Sequence, residues 1–172
     1  MTSEAQSAGA QELPEETGAL IGHILERYHE THRRELAELA ALAEKVERVH
    51  GDHPDAPRGL ADALRRMTGE LEVHMKKEEL ILFPLMRRGG APMIRHPILQ
   101  MRHDHDDHAA AIARLLDLTH GLEIPEGACR SWRALYEGTA KLIADVTRHI
   151  EIENTILFPR FESLEQTQGD AA

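Results

Sequence analysis

At 172 residues the chain is long enough for one domain with a continuous core, and a formal net charge of −10 argues against a nucleic-acid groove or an anionic membrane surface as partner. Its one cysteine, Cys129, allows no internal disulfide, cysteine-rich zinc site or iron-sulfur cluster built from this chain alone. Aromatic residues are 3% of the chain and the strong helix formers dominate, so an all-α protein is expected, with 12 histidines as the unusual feature.

Residues 1–14 are rich in Ala, Ser, Gln and Glu and are expected to be a disordered tail. Pro14, Glu15 and Glu16 read as the first turn of a helix that runs to about Val49. Gly51, Pro54, Pro57 and Gly59 mark a loop over 50–59, and a second helix follows to about Arg87. The break RRGGAPMIRHP at 87–97 leads into a third helix, with Pro97 in its first turn, that ends near His120 and Gly121. LEIPEGA at 122–128 is the third loop, and the fourth helix runs from about Cys129 to Glu162, followed by a disordered tail over 163–172. Pro84 and Pro159 are expected to kink or end helices two and four. Long helices joined by short loops predict an antiparallel up-down-up-down four-helix bundle over 15–162. No window approaches the ~18 uncharged apolar residues of a membrane span, and no signal segment is recognisable, so a soluble, cytoplasmic protein is expected.

Steps of three and four place one stripe on each helix. The stripes are Leu25, His29, His32, Leu36, Leu39, Ala43 and Val46; Leu60, Leu64, Met67, Leu71, His74, Glu78, Ile81 and Leu85; Ile98, Met101, His105, His108, Ile112 and Leu115; and Leu135, Thr139, Leu142, Val146, His149, Glu153 and Ile156. Two glutamates thus fall on faces that should be buried, where an unpaired carboxylate costs several kcal/mol or must take up a proton. The nearby basic residues Lys76, Lys77 and Arg148 point to other faces, so a cation from outside the chain is expected to compensate them.

The chain is also written twice. HMKKEELILFP at 74–84 and HIEIENTILFP at 149–159 share the frame H-x-x-x-E-x-x-x-L-F-P, and His29-x-x-His32 is answered by His105-x-x-His108. Each half is a helical hairpin offering one histidine from its first helix and a His-x-x-x-Glu pair from its second. Packed about a pseudo-two-fold, the halves bring four imidazoles and two carboxylates to one level. Carboxylates from opposite helices bridging two metals about 3.5–4 Å apart is the dinuclear geometry this predicts. Such a donor set, without thiolate, suits iron, manganese or zinc and not calcium or magnesium, and it leaves room for a bridging oxygen and an exchangeable position, which favours iron. Ferritin-like proteins use more glutamate and a Glu-x-x-His order, so the set is closer to a hemerythrin-type site.

RYHETHR at 27–33, KVERVHGDHP at 45–54, HMKKEELILFP at 74–84, Asp-His-Asp at 104–106, CRSWRALY at 129–136 and HIEIENTILFPR at 149–160 together resemble the di-iron iron-sulfur cluster repair proteins, over about residues 18–162. The resemblance implies a hemerythrin-like bundle with two iron ions, oxo- and carboxylate-bridged, on His29, His74, Glu78, His105, His149 and Glu153, with the two glutamates bridging. It implies repair of damaged iron-sulfur proteins under nitrosative or oxidative stress by iron donation, and binding or reduction of nitric oxide, an activity of nitric oxide reductase type. A hemerythrin-like O2 or redox sensor or carrier without catalysis is the alternative. Two departures stand out. Many members carry an N-terminal domain with a cysteine pair, so any step using those thiols is expected to need a partner. Asp104 stands where the family commonly has glutamate, and its shorter side chain bears on whether that carboxylate reaches a metal.

His32 and His108 are expected to orient the ligands from one turn away. His50 and His53 are expected at the surface or at helix caps, and Tyr28, Trp132 and Tyr136 in packing roles. Cys129 is expected to start helix four. The runs HRRE at 32–35 and KKEE at 76–79 read as solvated faces apart from His32 and Glu78.

Overall fold

Four long helices carry the chain, and a computed structural model describes them over residues 12–162. Of the expected tails at 1–14 and 163–172, residues 1–11 and 163–172 lie outside the described residues. Helix α1 covers residues 17–49, α2 covers 60–87, α3 is Arg95–Leu118 and α4 covers 130–162. α1 packs on α2 and α4, and α3 packs on α2 and α4, which closes the up-down-up-down ring. No strand occurs among the described residues, and no helix there is long and apolar enough to cross a membrane.

Local chemistry sets the helix ends. Glu16 precedes α1 as its cap rather than lying in its first turn, its carboxylate accepting from the Gly18 and Ala19 amides at 2.8 and 2.6 Å. The 50–59 loop is pinned by Arg58, which donates to the Gly51 and His53 carbonyls. Cys129 stands at the N-cap of α4 with extended backbone. α1 and α4 approach closely at Gly138, where an added Cβ would meet Leu39 Cδ2 at 2.7 Å and the leucine side chain would have to shift.

Three helices contain a π turn: Leu25–His29 in α1, Glu78–Leu82 in α2 and Glu153–Leu157 in α4. In each, an amide bonds five residues back instead of four, as Phe158 N does to the Glu153 carbonyl at 2.9 Å. These turns correct the expectation for Pro84 and Pro159. Neither proline ends its helix, because the widened turn just before it absorbs the missing donor and a short α segment follows, Phe83–Arg87 or Pro159–Glu162.

The extra residue in each turn also shifts the buried stripe by one position. Ile81, expected inside, is 56% exposed, and Leu82 is buried in its place. In α4 Leu157 is buried and Ile156 only partly so, and in α1 Ile24 is buried while Leu25 is half-buried. The other stripe positions are buried as expected, apart from Leu85 and Ile112, which are half-buried.

Burial divides the interior into two apolar clusters. One runs from Leu36 and Leu71 through Trp132 to Val146, and the other joins Leu20, Leu82, Met101, Ile152 and Phe158. A layer of histidine and glutamate separates them. The shifted register gives a direct test by urea unfolding. Leu82→Ala is expected to cost about 2–5 kcal/mol, as for a buried leucine, and Ile81→Ala about 0.5 kcal/mol, as for a surface site. The reverse order would place Ile81 inside.

Candidate metal centre

The layer between the two clusters is built from the repeat. His29 closes the π turn of α1, Glu78 and Glu153 open those of α2 and α4, and His74 and His149 precede these glutamates by one turn. His105 comes from the uninterrupted α3. All six side chains are at most 2% exposed.

They form two groups that share both carboxylates. His29 and His149 with Glu78 and Glu153 make one, and His74 and His105 with the same glutamates make the other, with the ligand atoms of each group within 4.8 Å of one another. Each group therefore takes one histidine from each half of the chain, pairing α1 with α4 and α2 with α3. His29 Nε2 and His74 Nε2 approach Glu78 Oε2 at 3.3 and 3.4 Å. His105 Nε2 lies 3.1 Å from Glu153 Oε2, and His149 Nε2 lies 3.0 Å from Glu153 Oε1.

Of these contacts only that of His149 Nε2 with Glu153 Oε1 is a hydrogen bond, and it does not satisfy the layer. Both Glu78 oxygens, Glu153 Oε2 and His29 Nε2 are buried without a hydrogen-bond partner. The reason lies on the far side of each ring. His29 Nδ1 donates to Glu79 Oε1 at 2.7 Å, His105 Nδ1 to Asn154 Oδ1 at 2.9 Å, and His74 Nδ1 to Asp104 Oδ2 at 3.4 Å. His149 Nδ1 faces His32 Nε2 at 3.3 Å. With the proton held on Nδ1 of His29, His74 and His105, the Nε2 of each of these three rings presents a bare lone pair to the centre. His74 Nε2 and His105 Nε2 then face each other at 3.2 Å, an arrangement that repels unless a cation lies between them. Donors about 3 Å apart are what adjacent ligands on a metal with bonds near 2.1 Å require. The donor set fits a pair of metal ions.

Electrostatics agrees. Burial, and then the charge of Glu153, pushes the Glu78 carboxyl well above its usual range. Burial opposes charge on Glu153 too. The nearby cations serve other groups: Lys76 pairs with Glu72, Lys77 with Asp104 and Arg148 with Glu151. Among the described residues no Lys or Arg ion pair reaches either buried glutamate.

The outer supports come from residues that were expected to be solvated. Glu79 is held by Arg33 at 2.9 and 3.1 Å, and Arg33 also reaches Glu72 at 2.7 Å. Asp104 lies outside both ligand groups and orients His74, itself held by Lys77 at 2.8 Å and Gln100 at 2.9 Å. Burial works against its charge, but those bonds push its carboxyl down to about 2. Glu79 and Asn154 each follow a buried glutamate of the repeat by one residue, a correspondence that the reading of 76–79 as a solvated face passed over. Phe83 and Phe158, the phenylalanines of the two L-F-P copies, stack on His29 and His105 with centroids 5.8 Å apart in both cases. Tyr28 stacks on His149 at 5.3 Å and 11°. His50, expected at the surface or at a helix cap, is the C-cap of α1; it and His53 are half-buried against Trp132 at 5.0 and 5.1 Å, and His50 Nε2 lies 3.1 Å from Cys129 Sγ.

Burial pushes the imidazoles of His29 and His108 down to about 4 and those of His32 and His74 to about 3, from 6.5. The unfolded chain therefore takes up protons below pH 6.5 that these folded imidazoles refuse. Their contribution is fully present above pH 6.5 and is lost as the pH falls toward about 4, at up to about 1.4 kcal/mol per pH unit for each imidazole. Glu78 acts in the opposite sense, but it is one group against four. Urea melts of the metal-free protein should thus give lower stability near pH 5 than near pH 7; equal or greater stability at the lower pH would contradict the neutral imidazole layer.

Known proteins converge on the same site. The model of the Hemerythrin HHE cation binding domain matches residues 20–161. The iron-sulfur cluster repair protein YtfE of Pectobacterium carotovorum subsp. carotovorum is 46% identical over 141 residues, which cover 82% of this chain and 64% of that protein. Proteins of the same name from Pectobacterium atrosepticum and Yersinia pseudotuberculosis are 45% and 49% identical over the same shares of each chain. The chain thus spans about 64% of the length of these relatives. A cation-binding family whose match covers all four helices, on a bundle whose centre is arranged for cations, leaves one conclusion: the chain belongs to the hemerythrin HHE family.

Proposed function

We propose that residues 15–162 form a di-iron unit that serves the repair of damaged iron-sulfur clusters in the cytoplasm, giving up iron to them and binding or reducing nitric oxide. His29 and His149 hold one iron and His74 and His105 the other, with Glu78 and Glu153 bridging. The observation that carries this reading is the pair of fully buried carboxylates approached by imidazole lone pairs and by no basic side chain of the described residues. The similarity to proteins named for iron-sulfur cluster repair supports the repair role.

When bound and reduced, such a pair supplies electrons and open coordination positions to a small ligand such as NO or O2. The chain's own residues prepare that chemistry. Glu79, Asp104, Asn154 and His32 fix the four rings so that little reorganisation accompanies a change of metal charge. Phe83, Phe158 and Tyr28 stack on three of those rings and keep water from them. Cys129 sits against His50 at the loop end of the bundle.

Two experiments test the reading. Glu78→Ala combined with Glu153→Ala should abolish paired iron binding while far-ultraviolet circular dichroism stays that of the wild type; iron retained in full would refute the ligand assignment. The reduced, iron-loaded protein should yield nitrous oxide on anaerobic titration with NO and restore activity to an apo iron-sulfur enzyme. A reversible O2 adduct with neither outcome would instead favour a carrier or sensor.

A further inference from the structure

His74 and His105 are 1% and 2% exposed, so a metal ion must pass between side chains to reach them. A groove of about 1030 Å³ lies between α2 and α3, lined among others by Glu70, Lys77, Asp104, Asp107 and His108.

Two independent features of this groove point to a cation. Asp104 and Asp107, which line it, and His103, one turn before Asp107, bring ligand atoms within 4.8 Å of one another. His103 Nδ1 already lies 3.4 Å from Asp107 Oδ2, and these two side chains are 72% and 67% exposed. Deeper in the groove, His108 is only 2% exposed and neither of its ring nitrogens has a hydrogen-bond partner.

The repeat explains why His108 is left without one. Its counterpart His32 reaches the Nδ1 of His149, but on His74 that place is taken by Asp104. His108 instead meets the His74 ring edge-on, with centroids 4.9 Å apart at 89°. A buried imidazole without a partner is unfavourable, and a visiting ligand would offset that cost.

Resting on the dinuclear reading above, we infer that His103, Asp104 and Asp107 form an outer site for a divalent first-row metal ion, and that His108 receives the ion on its way to His74. Imidazole with carboxylates suits such ions, and the net charge of −10 concentrates dications at the surface. The outer site is weak by construction, because Lys77 Nζ sits 2.8 Å from Asp104 Oδ2 and competes for it. A dissociation constant on the order of 10⁻⁴ M, as in exposed sites of few carboxylates, suits an ion in transit.

Cobalt(II) alone serves as probe, added to the metal-free full-length chain in a stopped-flow absorbance experiment. His103→Ala with Asp107→Ala should leave the final cobalt content unchanged and slow its uptake about tenfold at micromolar cobalt, the lower end of what local charge focusing supplies. Lys77→Gln should accelerate uptake. An unchanged rate in the double variant, or slower uptake in Lys77→Gln, overturns the outer site. Failure of the dinuclear reading is distinguishable, because the wild type itself would then end below two cobalt per chain.

Discussion

Two carboxylates buried without a counter-cation are the constraint on which the rest of this structure depends. Glu78 and Glu153 have no exposed surface, and each would cost several kcal/mol as an isolated charge in the core. The surrounding layer does not compensate them if the chain is considered alone, since the lone pairs of His29, His74 and His105 converge on the same space. Positive charge inside such a layer would offset the cost. Lys76, Lys77 and Arg148 do not supply it, because they are engaged with Glu72, Asp104 and Glu151.

Duplication is what allows so small a chain to build that layer. Each hairpin supplies one imidazole from its first helix and a histidine-glutamate pair from its second, but neither hairpin makes a complete group. The groups form across the halves, His29 with His149 and His74 with His105, so the centre also couples the two hairpins. Symmetry holds for Glu79 and Asn154, which anchor the first-helix imidazoles, and for Phe83 and Phe158, which stack on them. It breaks at Tyr28 and Asp104, which occupy equivalent positions just before His29 and His105. Tyr28 stacks on His149 and leaves its Nδ1 to His32, whereas Asp104 takes the Nδ1 of His74 and leaves His108 alone.

The sequence made the bundle, its loops and the six converging side chains legible, because helical periodicity and a repeated frame both survive in one dimension. The π turns were not legible. An inserted residue changes no amino acid, so the expected stripe continued to Ile81 and Ile156 where the helix had already rotated to Leu82 and Leu157. The supports of the layer were hidden for a different reason. Glu79, Lys77 and Arg33 look like surface charge, and they become functional only when a neighbouring helix brings a histidine within reach. His29 and Glu79 are 50 residues apart, a pairing that no local pattern reveals. The phenylalanine of L-F-P likewise acquires its partner only from the facing helix.

The central claim is that one buried layer holds two metal ions bridged by Glu78 and Glu153. X-ray absorption at the iron edge of the iron-loaded wild type tests it most directly. The account predicts about two iron per chain, nitrogen and oxygen neighbours without sulfur, and an iron-iron vector within about 4 Å. A single iron per chain with no iron neighbour, or sulfur in its shell, would contradict it.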